Sequence, residues 1–292
     1  MVYQFDYVSD EFRVKGYMSI PGDIAWDKVS IEAALRGFYE DASLQAEVVA
    51  ESVVGVEERT DIRTCRMPVL IYCRGGIGKV GAVQKHWIDS FANIGGHIVL
   101  APCYRGNEGG EGRDFFGGVE QEDVDALHRF AASLPFVDAG RISVLGFSRG
   151  AVNAARLAAS NAKLSGLVLW GGVSDLARTY EERVDLRRMF RRVIGGTPSN
   201  RAPDYEARSP AAMAGRISCP TLIIHGTADE QVDYGHGLRM YEELNALGMP
   251  VEMHVYEGYG HHLPLKLHET AVRRMFDWLG TSACSSLGAA PQ

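Results

Sequence analysis

The sequence predicts an α/β fold, with a mostly parallel, doubly wound sheet in a single domain over residues 1–280. Two observations carry this prediction. Apolar runs of strand length alternate with helical stretches from residue 68 to residue 279, as in sheets whose strands are joined by crossover helices. The runs are also continuously apolar, which is typical of parallel strands covered by helices on both faces.

The first part of the chain has a different pattern. Residues 12–20 alternate between polar and apolar side chains, and we expect them to pair with residues 2–8 as an antiparallel hairpin at the sheet edge. The segment 22–66 is longer than a simple connection requires, and it contains a helical stretch at 26–39 and a valine-rich stretch at 48–56. We interpret it as an extra strand with a covering helix, or as a lid or oligomer contact.

The central elements follow in alternation. The predicted strands are 69–73, 97–101, 142–146, 167–170, 221–225 and 251–256. The predicted helices are 80–93, 119–133, 149–160, 176–193, 237–247 and 267–279. The insertion 174–215 is a candidate lid over the end of the sheet, although its arginine run is typical of a solvated helix face. Residues 281–292 are small and polar, and we expect them to form a disordered tail.

Composition and charge argue against several classes of function. The net charge of −7 disfavours binding to nucleic acid, which depends on a basic surface that neutralises phosphates. No run approaches the roughly 18 apolar residues of a membrane span, and the first residues lack the features of a signal peptide. We therefore expect a cytoplasmic protein without a membrane partner. The five cysteines lack metal-ligand spacing, which favours buried thiols over a zinc site.

The most informative motif is Gly-x-Ser-x-Gly at 146–150, directly after an apolar strand. In this context a serine occupies a strained strand-to-helix turn that lifts its hydroxyl off the end of the sheet. Gly146 and Gly150 allow the strand and the departing helix to approach closely. The alanines that follow at helical spacing provide a small-residue face for packing on the sheet. The motif predicts Ser148 as a nucleophile.

A serine nucleophile needs a general base and a carboxylate that orients this base. In doubly wound hydrolases the acid and then the histidine follow the serine, on loops that leave the strand ends. Asp229 lies three residues past the glycine that ends its strand, and we prefer it to Glu230 and Asp233. His261 follows a glycine in the loop after the last strand, and we prefer it to His262 as the base.

Acyl transfer also needs N–H donors for the developing oxyanion. We expect one donor to be the backbone amide of Arg149, directly after the nucleophile. The other is expected from the glycine-rich loop after the first central strand, at Gly75 or Gly76. Phosphate binding by this loop is disfavoured because Gly78-Lys79 is followed by valine rather than by serine or threonine. No metal or organic cofactor is implied.

Three further motifs surround these candidates. They are the Tyr-Arg-Gly-Asn loop that begins at Tyr104, the Phe-Val-Asp lead-in to the nucleophile strand, and His-Gly-x-x-Asp-x-x-Val around Asp229. Together they resemble the prolyl oligopeptidase family of serine hydrolases, in its α/β-hydrolase catalytic domain, over residues 60–280. The chain departs from this family at Arg74, where relatives commonly carry histidine or tyrosine, and at Ala151, where many carry glycine.

The resemblance implies an α/β-hydrolase fold and hydrolysis through an acyl-enzyme. The implied triad is Ser148, Asp229 and His261, and Arg74, Tyr104 and Arg105 are candidate substrate-binding residues. Small peptides or aminoacyl amides are the preferred substrates, on the resemblance alone, and small carboxylic esters are the alternative. A non-catalytic binding protein is a more remote alternative, disfavoured because all three triad residues are present. The expected partner is a small molecule or short peptide, and homo-oligomerisation is left open.

Overall fold

The computed structural model of the chain describes residues 1–51, 59–160 and 163–286. Its strands are β1 Val2–Ser9, β2 Phe12–Ser19, β3 Ile24–Ala25, β4 Ala46–Ala50, β5 Thr60–Asp61, β6 Met67–Cys73, β7 Ile98–Pro102, β8 Val137–Phe147, β9 Gly166–Trp170, β10 Thr221–Gly226 and β11 Val251–Tyr256. Its helices are α1 Lys28–Tyr39, α2 Lys85–Gly95, α3 Gln121–Ser133, α4 Gly150–Ala159, α5 Leu176–Glu182, α6 Arg187–Ile194, α7 Ala202–Glu206, α8 Pro210–Met213, α9 Tyr234–Ala246 and α10 Leu265–Ser286.

One large sheet organises the molecule, with strands in the order β11-β10-β9-β8-β6-β7-β2-β1-β4. The six strands from β6 to β11 that form its centre and one edge pair in parallel, as predicted. Their carboxyl ends therefore meet at one edge of the sheet, which is where ligands bind in open α/β sheets. The loops that carry Ser148, Asp229 and His261 all leave from this edge.

Helices cover both faces of the sheet, which explains the continuous apolar runs. Val69 and Ile71 of β6 enter the apolar cluster that also contains residues of α3 and α4. Leu70 and Tyr72 enter the opposite cluster, together with residues of α2 and α10. Because successive side chains of a strand point to opposite faces, each residue of β6, β7, β9 and β10 is buried, whereas β11 at the edge of the sheet buries only His254. In the described ranges, no helix combines the length and the apolar character that crossing a membrane requires.

The N-terminal region forms the predicted hairpin, but the hairpin does not lie at the edge of the sheet. β1 and β2 pair antiparallel, but β4 pairs antiparallel with the free side of β1 and forms the edge of the sheet. α1 buries Ile31 and Leu35 in the same cluster as Phe5. The segment 22–66 thus supplies an extra strand and a covering helix, and residues 52–58 of its valine-rich stretch lie outside the described residues.

Several helix boundaries differ from the prediction. α2 begins at Lys85 rather than at residue 80, since Gly81 has a φ of +74°, outside the helical range. The single helix expected at 176–193 is broken, because Arg183 adopts φ −102° and ψ 74° between α5 and a 3₁₀ turn at Val184–Leu186. This conformation brings the Arg183 guanidinium to the carbonyl oxygen of Gln231, at 3.0 Å. The expected tail begins as helix, since α10 continues to Ser286 and no glycine or proline lies between Gly280 and Ser286 to interrupt it. Residues 287–292 lie outside the described ranges.

Candidate active site

Ser148 lies in a strained turn between β8 and α4. Its φ of +55° is in the left-handed region, which residues with a side chain rarely adopt and which often marks functional sites. The backbone N–H of Ser148 donates to the carbonyl oxygen of Trp170 at the end of β9, at 2.9 Å. The turn is thereby attached to the neighbouring strand, and the serine side chain lines a cavity at the carboxyl edge of the sheet.

Small residues make this turn sterically feasible. A Cβ atom on Gly150 would lie 1.9 Å from the carbonyl oxygen of Cys73, and a Cβ on Gly146 would lie 2.6 Å from Cα of Ala151. Both glycines are therefore required for the close approach of strand and helix that the motif predicts. A Cβ on Gly172 would lie 2.7 Å from Cβ of Ala151, so Gly172 leaves the space that the Ala151 methyl group occupies.

His261 and Asp229 form a buried hydrogen-bonded pair. Nδ1 of His261 lies 2.7 Å from Oδ2 of Asp229, and Oδ1 of Asp229 accepts from the backbone amides of Gln231 (2.8 Å) and Val232 (2.9 Å). Burial alone raises the pKa of Asp229, but hydrogen bonds from His225, His261 and the Val232 amide hold this pKa well below its usual range. Asp229 is therefore a carboxylate that fixes the ring of His261 and turns Nε2 away from itself.

The alternative acids and the alternative base have other environments. Asp233 accepts from the amide of Gly235 at the start of α9 and pairs with Arg178, and Glu230 is exposed. His262 is exposed, with its ring 5.9 Å from that of Trp87 between centroids. Across the described ranges, no group of three or more histidine, cysteine or acidic side chains is arranged to hold a metal ion.

Ser148 and His261 line one cavity of about 550 Å³. Tyr72, Trp87 and Phe147 of its lining belong to or pack on the core of one sheet face, and most of the other large apolar side chains belong to a third cluster. The lining members of this cluster are Ile77, Phe116, Val173, Leu186, Met189 and Val232. Thr179 and Arg183 also line the cavity, so the insertion 174–215 forms part of its wall. Aromatic and polar groups complete the lining, among them Gln84, His86, Trp87, Phe147 and His262.

Backbone amides with no protein partner lie beside the serine. In the described part of the chain, the N–H groups of Arg149, Gly76 and Ile77 donate to no protein acceptor, and all three residues line the cavity. Gly76 has φ +65°, and a Cβ on Gly75 would lie 3.0 Å from Cβ of Ser148. The glycine-rich loop thus passes directly against the candidate nucleophile. Unpaired amides in this position are the donors that oxyanion stabilisation requires.

The three candidate substrate-binding side chains do not reach the cavity, which corrects that prediction. Arg74 is buried and donates to carbonyl oxygens of its own loop, the nearest at 3.0 Å, and the ring of Tyr104 lies beneath it at 5.2 Å. Arg105 is buried in an ion pair with Asp123, at 2.7 Å. These side chains turn inward because the carbonyls and carboxylates that satisfy their N–H groups lie below the site.

His225 is the first residue of the His-Gly-x-x-Asp-x-x-Val motif, which does not by itself indicate what this histidine does. Nε2 of His225 lies 2.9 Å from the carbonyl oxygen of Val232 and 3.4 Å from Oδ2 of Asp229. Because a carbonyl oxygen can only accept, this nitrogen carries the proton. His225 therefore contacts two residues of the loop that presents Asp229. Its fixed place in the motif is the signal that was available.

We expect His225→Phe to weaken both the fold and the site. The carbonyl of Val232 would lose its buried donor, lowering the free energy of unfolding by about 1–3 kcal/mol. The less constrained Asp229 loop would lower kcat/KM on the order of tenfold. Denaturant unfolding and hydrolysis assays on the same preparations check both effects. His254→Phe is the matched control, because His254 is buried on β11 but bonds Glu252. Equal activity of the two variants, per folded molecule, would contradict the prediction.

The parallel sheet, the strained serine turn and the buried Asp–His pair define the chain as an α/β-hydrolase. The sequence model of the prolyl oligopeptidase family matches residues 86–284 of this chain. The chain belongs to the prolyl oligopeptidase family and is a serine hydrolase.

Individual proteins are similar to this chain in sequence or in fold. The chain is 41% identical over 210 residues to "Uncharacterized peptidase YtmA" of Bacillus subtilis, covering 72% of this chain and 81% of that protein. It is 29% identical over 150 residues to "Inactive dipeptidyl peptidase 10" of Rattus norvegicus, covering 50% of this chain and 18% of that one. A solved structure of puromycin hydrolase superposes with a TM-score of 0.72 at 19% identity. It covers 95% of this chain, which spans only 38% of the solved one, and it shows the shared fold.

Proposed function

We propose that this chain hydrolyses acyl bonds through Ser148, with His261 as general base and Asp229 as the carboxylate that orients it. The observation that carries the proposal is the 2.7 Å His261–Asp229 bond beside a cavity that also holds a serine at φ +55°. His261 takes the Ser148 proton as the hydroxyl attacks the carbonyl carbon, and the amides of Arg149 and Gly76 bind the oxyanion. His261 then protonates the leaving group, and water activated by His261 hydrolyses the acyl-enzyme.

We propose small peptides or aminoacyl amides as the substrates. Membership in a peptidase family supports this class, as does the similarity to a Bacillus subtilis peptidase and to the fold of puromycin hydrolase. The cavity volume of about 550 Å³ is typical of sites for small ligands. Its apolar cluster offers a place for an apolar side chain next to the scissile bond.

Small carboxylic esters are the second candidate, favoured by the charges of the wall. The guanidinium of Arg183 in the wall is paired with Asp185 at 2.7 Å, and the described residues that line the cavity include no acidic side chain to pair with a free ammonium group of a substrate. Acyl groups without a free amine, such as those of N-blocked peptides and simple esters, need no such partner. The same residues would attack an ester by the same steps.

Matched substrates separate these two classes. We expect hydrolysis of an N-acetyl-phenylalanine p-nitroanilide clearly above the Ser148→Ala background, alongside faster hydrolysis of the corresponding nitrophenyl ester. The measurement is kcat/KM for each substrate with both proteins. Ester turnover with the amide at background would overturn the peptide proposal and leave serine hydrolysis intact. Activity on neither substrate, with intact folding, would count against the proposed nucleophile.

A further inference from the structure

The side chain of Arg149 is buried beneath the candidate oxyanion site, although sequence reasoning considered only its backbone. Nη1 donates to the carbonyl oxygen of Gly76 at 3.0 Å and to Oδ2 of Asp114 at 2.7 Å. Nη2 donates to Oδ1 of Asp114 at 2.6 Å and to Oε1 of Glu120 at 2.7 Å. Arg149 is only 2% exposed, so these contacts are shielded from solvent. One guanidinium therefore joins the nucleophile turn to two other loops.

The two carboxylates that hold this guanidinium are themselves held by backbone amides. Oδ1 of Asp114 accepts from the amide of Phe116 at 2.9 Å. Oε2 of Glu120 accepts from the amides of Phe115 and Gly118, each at 3.1 Å. Such a network of charge-assisted hydrogen bonds restrains a buried side chain, and of the guanidinium nitrogens only Nε lacks a partner among the described residues. The anchor of Arg149 is thus a fixed loop rather than two mobile side chains.

Aromatic rings enclose the remaining faces of the guanidinium. Its central carbon lies 4.7 Å from the ring centroid of Tyr104 and 4.7 Å from that of Phe116. Burial by itself lowers the pKa of Arg149, but the charges of Asp114 and Glu120 raise it above the usual value. The side chain therefore remains a cation with a defined position.

This arrangement determines the direction of the loop amides. In a trans peptide unit the N–H points opposite to the C=O. The Gly75 carbonyl is bound by Arg74 at 3.0 Å and the Gly76 carbonyl by Arg149, so the N–H groups of Gly76 and Ile77 point away from the guanidinium groups. These are the loop amides that lack a protein acceptor within the described residues.

We propose that Arg149 is a positioning residue, whose guanidinium holds the Gly76–Ile77 peptide so that the Ile77 amide converges with the amides of Gly76 and Arg149 on one oxyanion. The inference rests on the proposed function, because it concerns the transition state of that reaction. Arg149 would supply one donor through its backbone and orient the Ile77 N–H through its side chain, while Arg74 holds the peptide that carries the Gly76 N–H.

The test replaces all three charged side chains of the cluster by neutral ones, so that no charge is left buried without a partner. In the variant Arg149→Met/Asp114→Asn/Glu120→Gln, we expect kcat to fall about 10- to 100-fold, which is less than the loss of a whole oxyanion donor. KM is expected to stay within a few-fold. The affinity for a peptidyl trifluoromethyl ketone, which mimics the tetrahedral intermediate, is expected to fall in parallel with kcat/KM. Arg149→Lys keeps the charge but has a single donor nitrogen in place of the guanidinium group. Its kcat and its ketone affinity should lie between those of the wild type and the triple variant.

The control is Arg156→Met, on the helix α4 that directly follows Arg149. Arg156 also donates to a loop carbonyl, since Nη1 lies 3.0 Å from the carbonyl oxygen of Gly117, but it does not contact the glycine-rich loop. This variant should keep wild-type kcat and ketone affinity at comparable thermal stability. Wild-type ketone affinity in the folded triple variant, or losses in Arg156→Met equal to those in the triple variant, would overturn the positioning role. If the triple variant does not fold, wild-type kcat and ketone affinity in Arg149→Lys would overturn it. Full activity of Ser148→Ala would instead reject the proposed function itself.

Discussion

Replacing Ser148 by alanine is expected to lower kcat/KM by at least about 10⁴-fold, because no other group takes over nucleophilic attack at this turn. The amides of Arg149 and Gly76 and the cavity wall would remain, so substrate binding should persist while turnover disappears. The same variant should lose covalent labelling by a fluorophosphonate probe, which reacts with activated serines. Gel fluorescence and intact-mass measurements on folded protein check this result.

The matched control for this experiment is Ser143→Ala on the same strand. Ser143 is buried, and its hydroxyl lies 3.4 Å from the Val69 carbonyl, away from the cavity. This variant should be labelled and active like the wild type. Labelling of Ser148→Ala at the wild-type level would show that another serine is the nucleophile.

Removal of the His261 imidazole is expected to have a comparably large effect, a loss of at least about 10⁴-fold in kcat. Ser148 would lose its proton acceptor, although Asp229 would still be held by the amides of Gln231 and Val232. Hydrolysis assays on purified His261→Ala measure this loss. They use whichever of the nitroanilide and the nitrophenyl ester the wild type hydrolyses with the higher kcat/KM.

His262→Ala provides the control within the same loop. His262 is exposed and packs on the aromatic rings of Trp87 and Phe147, so its removal should change KM by a few-fold and leave most of kcat. A large loss of kcat in His262→Ala with little loss in His261→Ala would reverse the assignment of the base.

Local patterns were sufficient to predict the scaffold of the site. The strand before Ser148 and the glycines around it specify a turn by steric requirements within a few residues. The positions of Asp229 and His261 follow from the rule that parallel strands present their carboxyl ends at one edge. Burial on both faces likewise follows from apolar runs, which is why the central strands were predicted to within a few residues.

Side-chain direction was not predictable, because the partners lie far apart along the chain. Arg149 and Asp114 are separated by 35 positions, and Arg105 and Asp123 by 18. No local pattern connects such pairs, so Arg105 was assigned to substrate rather than to a buried ion pair. The break at Arg183 was missed for the same reason, since the carbonyl of Gln231 that its side chain reaches comes from a distant loop.

The third apolar cluster makes part of the cavity wall independent of the sheet. Val173 and Val232 line the cavity and belong to this cluster, which is distinct from the cores on the two faces of the sheet. Tyr72, Trp87 and Phe147 also line the cavity, but they belong to or pack on one of those cores. Substitutions at Val173 or Val232 can therefore change the shape of the cavity with little effect on the packing of the sheet, whereas a substitution at Tyr72 changes both.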